Sequence, residues 1–240
     1  MANTTGRRAL AAASDDGMRT LYHHWLCPFS RKVRIVLAEK RLPFETVLEA
    51  VWEKRPEFIA LNPANDVPVL VEPGGEVLAD SAAIVEYLDE KFDDPPLLGA
   101  DPLARAEVRR LMGWFDGKFN REVTINLVGE KIVKRQMGLG GSPDSQVVRA
   151  GFAHLGHHLA YLGRLADERR WLAGDVFSLA DIAAAAHLST VDYVGDVLWD
   201  DYPEVKDWYV RVKSRPSFRP LLADQLPGTR PPPHYADLDF

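Results

Sequence analysis

Cysteine is almost absent from this chain, since Cys27 is the single cysteine in 240 residues. One thiol excludes an internal disulfide, and a chain without disulfides is typical of a reducing compartment. The sequence therefore predicts a cytoplasmic protein, and any thiol chemistry it performs must depend on Cys27.

Long hydrophobic runs and dense positive charge are missing as well. The longest apolar stretch, residues 182–186 with their neighbours, is interrupted by His187 and is shorter than the ~20 residues that cross a bilayer. Lys and Arg total 29 against 35 Asp and Glu, a net charge of −6, and no segment is basic enough to follow a phosphate backbone. We expect neither a membrane span nor a nucleic-acid partner.

A metal-binding cluster is not evident either. His154, His157 and His158 are spaced i, i+3 and i+4, so their side chains could share one helix face. No cysteine or carboxylate obviously completes a ligand set around them. We expect partly exposed histidines and no metal site.

The most informative feature is a strand followed directly by the cysteine and a helix. Residues 20–25 form a strand-like run, and Cys27 precedes Pro28, which suits a first helical turn because it has no N–H to leave unpaired. A thiol there lies at the positive end of the helix dipole, which favours the thiolate. We therefore expect the pKa of Cys27 to lie below the ~8.5 of a free cysteine.

The rest of the first third alternates between strands and helices. The pattern predicts a strand at 44–51, a hairpin of 67–72 and 76–80 with its turn at 73–75, and a helix at 81–92. With the helical segment that precedes the hairpin, the order is βαβαββα. This is the order of a thioredoxin-like domain, predicted over residues 18–92.

The second half shows only helices. A Pro-rich linker at 93–102 precedes helical patterns at 103–129, 146–169, 178–193 and 203–214. We predict an α/β plus all-α protein, with a helical bundle over 103–225 and a Pro-rich tail over 226–240. Residues 1–17 lack the apolar segment of a secretory signal and are predicted to be a disordered extension. Ser178 and Asp181 have the spacing of a capping box, which is structural.

Several motifs together resemble the cytosolic glutathione transferase superfamily, from about Met18 onward. They are the Cys-Pro-Phe-Ser helix start, Asn62-Pro63 leading to residues 66–70, the Asp80-Ser81 pair, and the segment 177–181. The resemblance implies a glutathione transferase fold and a homodimer, with the first domain of one subunit against the helical domain of the other.

The resemblance also implies a glutathione site. In the family the Val67–Pro68 bond is cis, and Val67 offers its backbone N–H and C=O to the peptide part of glutathione. Asp80 and Ser81 open a helix, where Ser81 can present its hydroxyl and N–H to the γ-glutamyl carboxylate. Two structural alternatives stay open: Pro68 only shapes a turn, and Ser81 is an ordinary N-cap.

An enzymatic hypothesis follows from the cysteine. In omega-like glutathione transferases and related thiol transferases, whose helix also begins Cys-Pro, the residue matching Cys27 is the nucleophile and glutathione is the cofactor. Other classes use a Tyr or Ser near the end of the first strand, where this chain has His23, His24 and Trp25. Cys27 and Ser30 are then the remaining candidate catalytic residues.

A non-catalytic hypothesis follows from the tail. Residues 231–233 are three prolines, which favour an extended backbone, and the last residues mix acidic and apolar side chains. The segment is either a peptide that docks on a partner or one that folds back to close the protein's own groove. The residues that would contact a partner are Asp237, Leu238, Asp239 and Phe240.

The tail and the residues around the cysteine resemble a branch of this superfamily that functions in alphaproteobacterial cell division. This resemblance implies binding to filaments of the tubulin-like GTPase FtsZ at the division site, with no catalytic residue and no cofactor. A dimer could contact more than one filament, which raises apparent affinity. Trp52 is a candidate exposed aromatic anchor for the partner, or a residue packed at the dimer interface.

Overall fold

The computed structural model describes residues 17–238 of the chain. Residues 1–16, which make up nearly all of the predicted disordered extension, lie outside the described residues, as do Asp239 and Phe240 of the tail. The expectations for those positions stay predictions.

The first domain has the predicted order of strands and helices. Its elements are β1 (Arg19–His23), α1 (Pro28–Glu39), β2 (Phe44–Leu48), α2 (Pro56–Leu61), β3 (Val69–Val71), β4 (Val77–Ala79) and α3 (Ser81–Lys91). The sheet order is β2-β1-β3-β4, with β2 parallel and β3 antiparallel to β1. The thioredoxin-like prediction is confirmed. The strand predicted at 44–51 is shorter, because the chain turns into a 3₁₀ helix at Val51–Glu53.

Helix α1 lies between the sheet and the second half of the protein. Its apolar residues Val33, Ile35, Val36 and Leu37 are fully buried. A helix covered on both sides cannot turn its charged side chains to solvent, so the cations of α1 must find partners inside the protein. This requirement shapes the site described below.

The second half is all helical, as predicted. It contains α4 (Pro102–Gly113), a π-helical segment (Trp114–Val133), α5 (Lys134–Gln136), α6 (Ser145–Glu168), α7 (Leu179–Tyr193), α8 (Pro203–Lys213) and α9 (Arg219–Leu222). The first three are continuous, so the helix predicted at 103–129 runs further than expected. Every residue of α7 is buried, which places this helix at the centre of the bundle.

Polar contacts fix the start of α7 and the linker. Ser178 and Asp181 form the capping box at the start of α7, as the sequence predicts. In the linker, the buried Lys40 donates to Asp89 and to the carbonyl of Pro95, while Asp89 accepts the N–H of Leu97. The linker is therefore packed against the first domain. Within residues 17–238, no helix is long and apolar enough to cross a membrane.

Candidate functional site

Cys27 lies where the sequence places it, at the junction of β1 and α1. It is the N-cap residue of α1, and Pro28 is the first helical residue. The thiol is half-buried, and its Sγ donates to the carbonyl oxygen of Val67 at 3.6 Å. The chain thus brings Cys27 and Val67 together, 40 positions apart in sequence.

The protonation state of Cys27 differs from the expectation. Burial raises the pKa of the thiol above its ordinary value, and this outweighs the hydrogen bonds from Ser30 and Phe29 that lower the pKa. Nearby Asp66 raises the pKa further. The expected pKa below ~8.5 is wrong. Burial destabilises the thiolate more than the N-terminus of α1 stabilises it.

Ser30 lies beside the Cys27 thiol. Its side chain is fully buried, and its Oγ accepts the backbone N–H of His24 at 3.4 Å. Of the two adjacent histidines, His24 faces the cleft beside Cys27, while His23 is buried and points elsewhere. Burial, with help from Arg34, His24 and Arg31, lowers the pKa of His23 to about 3. The Ser30 hydroxyl lowers the pKa of the Cys27 thiol, but burial outweighs it. His23, with a pKa of about 3, is a weak base and does not line the cleft.

The cations of α1 are directed away from Cys27. Arg31 donates to Ser189 Oγ at 2.8 Å, and Arg34 donates to both carboxylate oxygens of Asp224 at 2.7 and 2.9 Å. Lys32 pairs with Asp116. All three cations pair with residues of the helical half, so none is directed at the thiol to stabilise a thiolate.

Two clefts open beside this junction and meet at Phe29, Asp66 and Val67. The first, which we name the acidic cleft, has a volume of about 590 Å³. Its walls hold the predicted glutathione residues Val67, Pro68, Asp80 and Ser81, together with Phe29, Asp66, Ala82, Glu86, Arg109, Met112, Gly113, Asp116 and Gly117. The Val67–Pro68 bond is cis.

Asp80, not Ser81, caps α3. Asp80 Oδ1 accepts the N–H of Ala82 at 2.7 Å and that of Ala83 at 3.2 Å, and the residue has a φ of 69°. The interpretation of Ser81 as an ordinary N-cap is therefore wrong. Ser81 is the first residue of the helix, and its buried hydroxyl lines the acidic cleft.

The acidic cleft offers few cations to the carboxylates of glutathione. Glutathione carries two carboxylates, which need cationic or N–H donors, and one ammonium, which needs acceptors. The single basic residue in the walls is Arg109, and Glu86 already holds it in a bidentate pair at 2.9 and 2.7 Å. Asp66 and Asp80 would repel the carboxylates of this ligand and attract its ammonium. The Val67 and Ser81 contacts are available, so the charge of the walls does not exclude glutathione.

The second, apolar cleft has a volume of about 690 Å³ and holds Cys27. Its further walls are formed by His24, Leu26, Pro28, Val51, Trp52, Asn120, Thr124, Ile125, Val128, Gly129, Val133 and Met137. Trp52 is half-buried in this wall, where its ring meets His24 edge to face with centroids 5.4 Å apart. The groove beside Cys27 is open, and Trp52 forms part of its wall.

The tail folds back on its own domain. Tyr235 is fully buried, its hydroxyl accepts from Arg31 Nη1 at 2.9 Å, and its ring lies 5.1 Å from that of Tyr193. Lys213 donates to the carbonyls of His234 and Asp237 at 3.1 and 2.6 Å. None of the described tail residues, 226–238, lines either cleft. Asp237 is exposed and Leu238 half-buried beyond the anchored tyrosine.

The three histidines of α6 differ in burial. His158 is buried, accepts from Trp114 Nε1 at 3.0 Å and lies 3.1 Å from Glu122. His154 is half-buried, 3.7 Å from the same carboxylate, and His157 is exposed. The expectation of partly exposed histidines is wrong for His158. In the part of the chain that the structure describes, no three potential ligands come together around a metal position.

Sequence reasoning missed the residues that anchor the tail. Arg31, Asp224 and Tyr235 are buried together, although Arg31 is 193 positions from Asp224 and 204 from Tyr235. One signal was available: Arg31, Lys32 and Arg34 place three cations within about one turn of a helix that must be buried in a βαβ unit. Such a helix requires buried partners, but the sequence does not say which.

The chain matches two family models along its length. The model of the glutathione S-transferase N-terminal domain matches residues 26–91, and that of the glutathione S-transferase C-terminal domain matches residues 150–216. FtsZ-localized protein A of Caulobacter vibrioides is 51% identical over 225 residues, which are 92% of this chain and 98% of that protein.

Two solved structures have the same fold over nearly the whole chain. The structure of FzlA from C. crescentus superposes with a TM-score of 0.90 at 51% identity, covering 93% of this chain and 100% of that one. A glutathione S-transferase from Rhodospirillum rubrum F11 superposes with a TM-score of 0.89 at 56% identity, with the same coverage.

Proposed function

The chain belongs to the glutathione S-transferase family, and we propose that it is a non-catalytic member that binds FtsZ filaments in the cytoplasm at the division site and regulates bacterial cell division. The observation that carries the proposal is the 51% identity with FtsZ-localized protein A over 92% of this chain. The identity spans both domains and reaches nearly all of that relative, so it is not limited to the shared fold.

The chemistry of the site supports a non-catalytic role. A thiol whose pKa is raised by burial is a poor nucleophile at neutral pH, because only the thiolate attacks. The one basic residue in the walls of the acidic cleft, Arg109, is held by Glu86 and is not free to bind a carboxylate of glutathione. A protein that acts by binding a filament needs no reaction with glutathione.

The anchored tail supports a partner-binding role. Tyr235, held by Arg31 and packed on Tyr193, fixes the point from which the last residues leave the domain. Fixing a binding segment before association reduces the conformational entropy that binding must overcome. We infer that Asp237, Leu238, Asp239 and Phe240 contact the filament, and that Trp52 forms a second contact through the apolar cleft.

Dimerisation belongs to the same proposal. A homodimer would present two tails, and two contacts on one filament or on neighbouring filaments raise apparent affinity through effective concentration. Light scattering on the purified protein checks the mass directly. A strictly monomeric mass would remove bivalent filament contact from the proposal and leave single-site binding.

The competing hypothesis is thiol transfer at Cys27 with glutathione as cofactor. One observation favours it, namely that the apolar cleft beside Cys27 is open. Titration calorimetry with glutathione separates the two hypotheses, and we expect no measurable heat. Tight binding together with thiol-transfer activity that Cys27→Ser abolishes would establish the enzymatic function instead.

Co-sedimentation with polymerised FtsZ tests the proposed function. Deletion of residues 237–240 removes the inferred anchors, and we expect a loss of about 2 kcal/mol or more, about 30-fold in Kd. Asp237→Lys should weaken binding in the same direction. Asp175→Lys is the matched control, because it makes the same charge change at an exposed position of the helical half. Unchanged co-sedimentation of both tail variants, with intact thermal unfolding, would overturn the role of the tail.

A further inference from the structure

Lys213 is a buried cation to which the proposed function assigns no role. It is the last residue of α8 and is fully buried. The charged and titratable groups around its ammonium come from three parts of the chain: Asp192 of α7, Tyr209 of α8, and His234 and Asp237 of the tail. An ammonium taken out of water is costly unless it is paired and hydrogen-bonded, so the identity of these partners is informative.

Two partners of Lys213 are backbone carbonyl groups of the tail. Its Nζ donates to the carbonyl oxygen of His234 at 3.1 Å and to that of Asp237 at 2.6 Å. The His234 carbonyl also accepts the N–H of Asp237 at 3.2 Å, directly after the 3₁₀ helix Pro233–Tyr235. One ammonium therefore joins both ends of this turn to the end of α8, with hydrogen bonds that its charge strengthens.

The burial of this lysine disfavours its charged form. It lowers the pKa of Lys213 from the ordinary value of 10.5 to about 8, although the charges of Asp192 and Asp237 act in the opposite direction. A lysine pKa below its ordinary value means that the folded surroundings disfavour the ammonium relative to water. Charged at this position, Lys213 costs the domain stability, so its hydrogen bonds to the tail are the better explanation for its place in the fold.

We propose that Lys213 is a positioning residue for the partner contact, because it holds the backbone of the tail at Asp237, the first residue of the inferred filament contact. The proposal rests on the proposed function and deepens it. Tyr235 anchors the tail two residues earlier, but the backbone bonds between Tyr235 and Asp237 are free to rotate unless a second anchor holds them. The two anchors together remove that freedom before association, which lowers the entropy that binding must overcome.

Hydrogen exchange in the absence of FtsZ tests whether Lys213 orders the tail. Lys213→Met replaces the ammonium by an apolar side chain of similar length, and we expect the N–H of Asp237 to exchange at least about tenfold faster by NMR, while α7 keeps its protection. Arg211→Met is the matched control, because it removes a cation of the same helix that contacts the Arg170 carbonyl and the Trp171 ring. Lys213→Arg keeps a cation and should restore most of the protection. Unchanged exchange in Lys213→Met would overturn the proposal.

Global stability separates positioning from a merely structural role. In urea at pH 7 we expect the unfolding midpoint of Lys213→Met to equal or exceed that of the wild type, because the variant removes an unfavourably buried charge. Since the pKa of about 8 in the folded state lies below the unfolded value, the folded wild type binds fewer protons. It should therefore gain stability relative to Lys213→Met as pH rises from about 8 to 10.5. A lower midpoint in Lys213→Met, or no such gain, would assign Lys213 to structure and contradict the proposal.

Co-sedimentation with polymerised FtsZ connects this anchor to the partner. We expect the Kd to rise by about fivefold in Lys213→Met, to stay within about twofold of the wild type in Lys213→Arg, and to be unchanged in Arg211→Met. If the wild type does not co-sediment, the proposed function fails, while hydrogen exchange still decides whether Lys213 orders the tail. If the wild type binds and Lys213→Met loosens the tail without any loss of affinity, Lys213 does not position the contact and the proposal is wrong.

Discussion

Cys27 and Arg31, one turn apart at the start of α1, lie in opposite environments. At the start, the Cys27 thiol donates to the carbonyl of Val67, is within hydrogen-bond reach of Ser30 and Phe29, and lies in an open, apolar cleft. One turn later, Arg31 is fully buried and donates to Ser189, to Tyr235 and to the carbonyl of Trp25. The strong, charge-assisted hydrogen bonds of this helix therefore hold the tail, and the thiol is left without a cation.

This difference shows which part of the site the fold stabilises. Charge-assisted hydrogen bonds are about twice as strong as neutral ones, and burial makes them specific in geometry. In this protein they connect α1 to Asp224 and Tyr235. A glutathione transferase architecture is thus arranged to fix a carboxyl-terminal segment, while the position of the family's thiol chemistry stays unactivated.

Among the variants that test this difference, removal of the Asp224 carboxylate should have the largest effect on stability. Asp224→Ala leaves Arg31 and Arg34 buried without a carboxylate, and we expect the free energy of unfolding to fall by about 3–5 kcal/mol. Urea denaturation measures the change. Asp175→Ala, at an exposed position, should stay within about 0.5 kcal/mol. A loss below 1 kcal/mol in Asp224→Ala, on the order of a surface substitution, would show that the tail anchor does not depend on this charge.

The tyrosine hydroxyl should contribute less. Tyr235→Phe removes the acceptor for Arg31 and the donor to the carbonyl of Leu221, so we expect a destabilisation of about 1–3 kcal/mol and faster proteolysis of the tail. Tyr202→Phe serves as the control because its hydroxyl makes no hydrogen bond within the described residues. If both variants behave alike, the Tyr235 hydroxyl is not part of the anchor.

The pH dependence of Cys27 alkylation tests whether the thiol is unactivated. Since burial raises the pKa of the folded thiol, the rate of reaction with iodoacetamide should rise with a midpoint above that of free N-acetylcysteine. The folded state also holds this proton more tightly than the unfolded state, so its contribution to stability falls as pH rises beyond the unfolded pKa of ~8.5. A midpoint below that of the free thiol would show that Cys27 is activated.

Cys27→Ser should have the smallest effect. The serine hydroxyl can still donate to the Val67 carbonyl, and Trp52 makes the proposed filament contact in this cleft, so co-sedimentation with FtsZ should change by less than about twofold. Trp52→Ala, in the same cleft wall, should weaken co-sedimentation more than Cys27→Ser does. The opposite ranking would indicate that the thiol itself contributes to the partner contact.

Local sequence patterns were sufficient for the elements and for several site positions. Pro28 marks the start of α1 and places Cys27 at its N-cap, and Ser178 with Asp181 marks the start of α7. These features depend on residues a few positions apart, which a sequence displays directly. The interpretation of Ser81 as the N-cap of α3 was wrong. A sequence pattern places the start of a helix only to within one or two residues, and the N-cap is Asp80, one residue earlier.

The sequence by itself determined the order of strands and helices, the family and the position of the lone thiol, because each follows from short-range periodicity and motifs. Only the tertiary structure decided the protonation of that thiol, the charge of the cleft beside Ser81 and the anchoring of Tyr235. The physical reason is that burial and ion pairing depend on side chains far apart in the chain, such as Arg31 and Tyr235, 204 positions apart. Desolvation and pairing are set when the two halves pack, and neither is visible before they do.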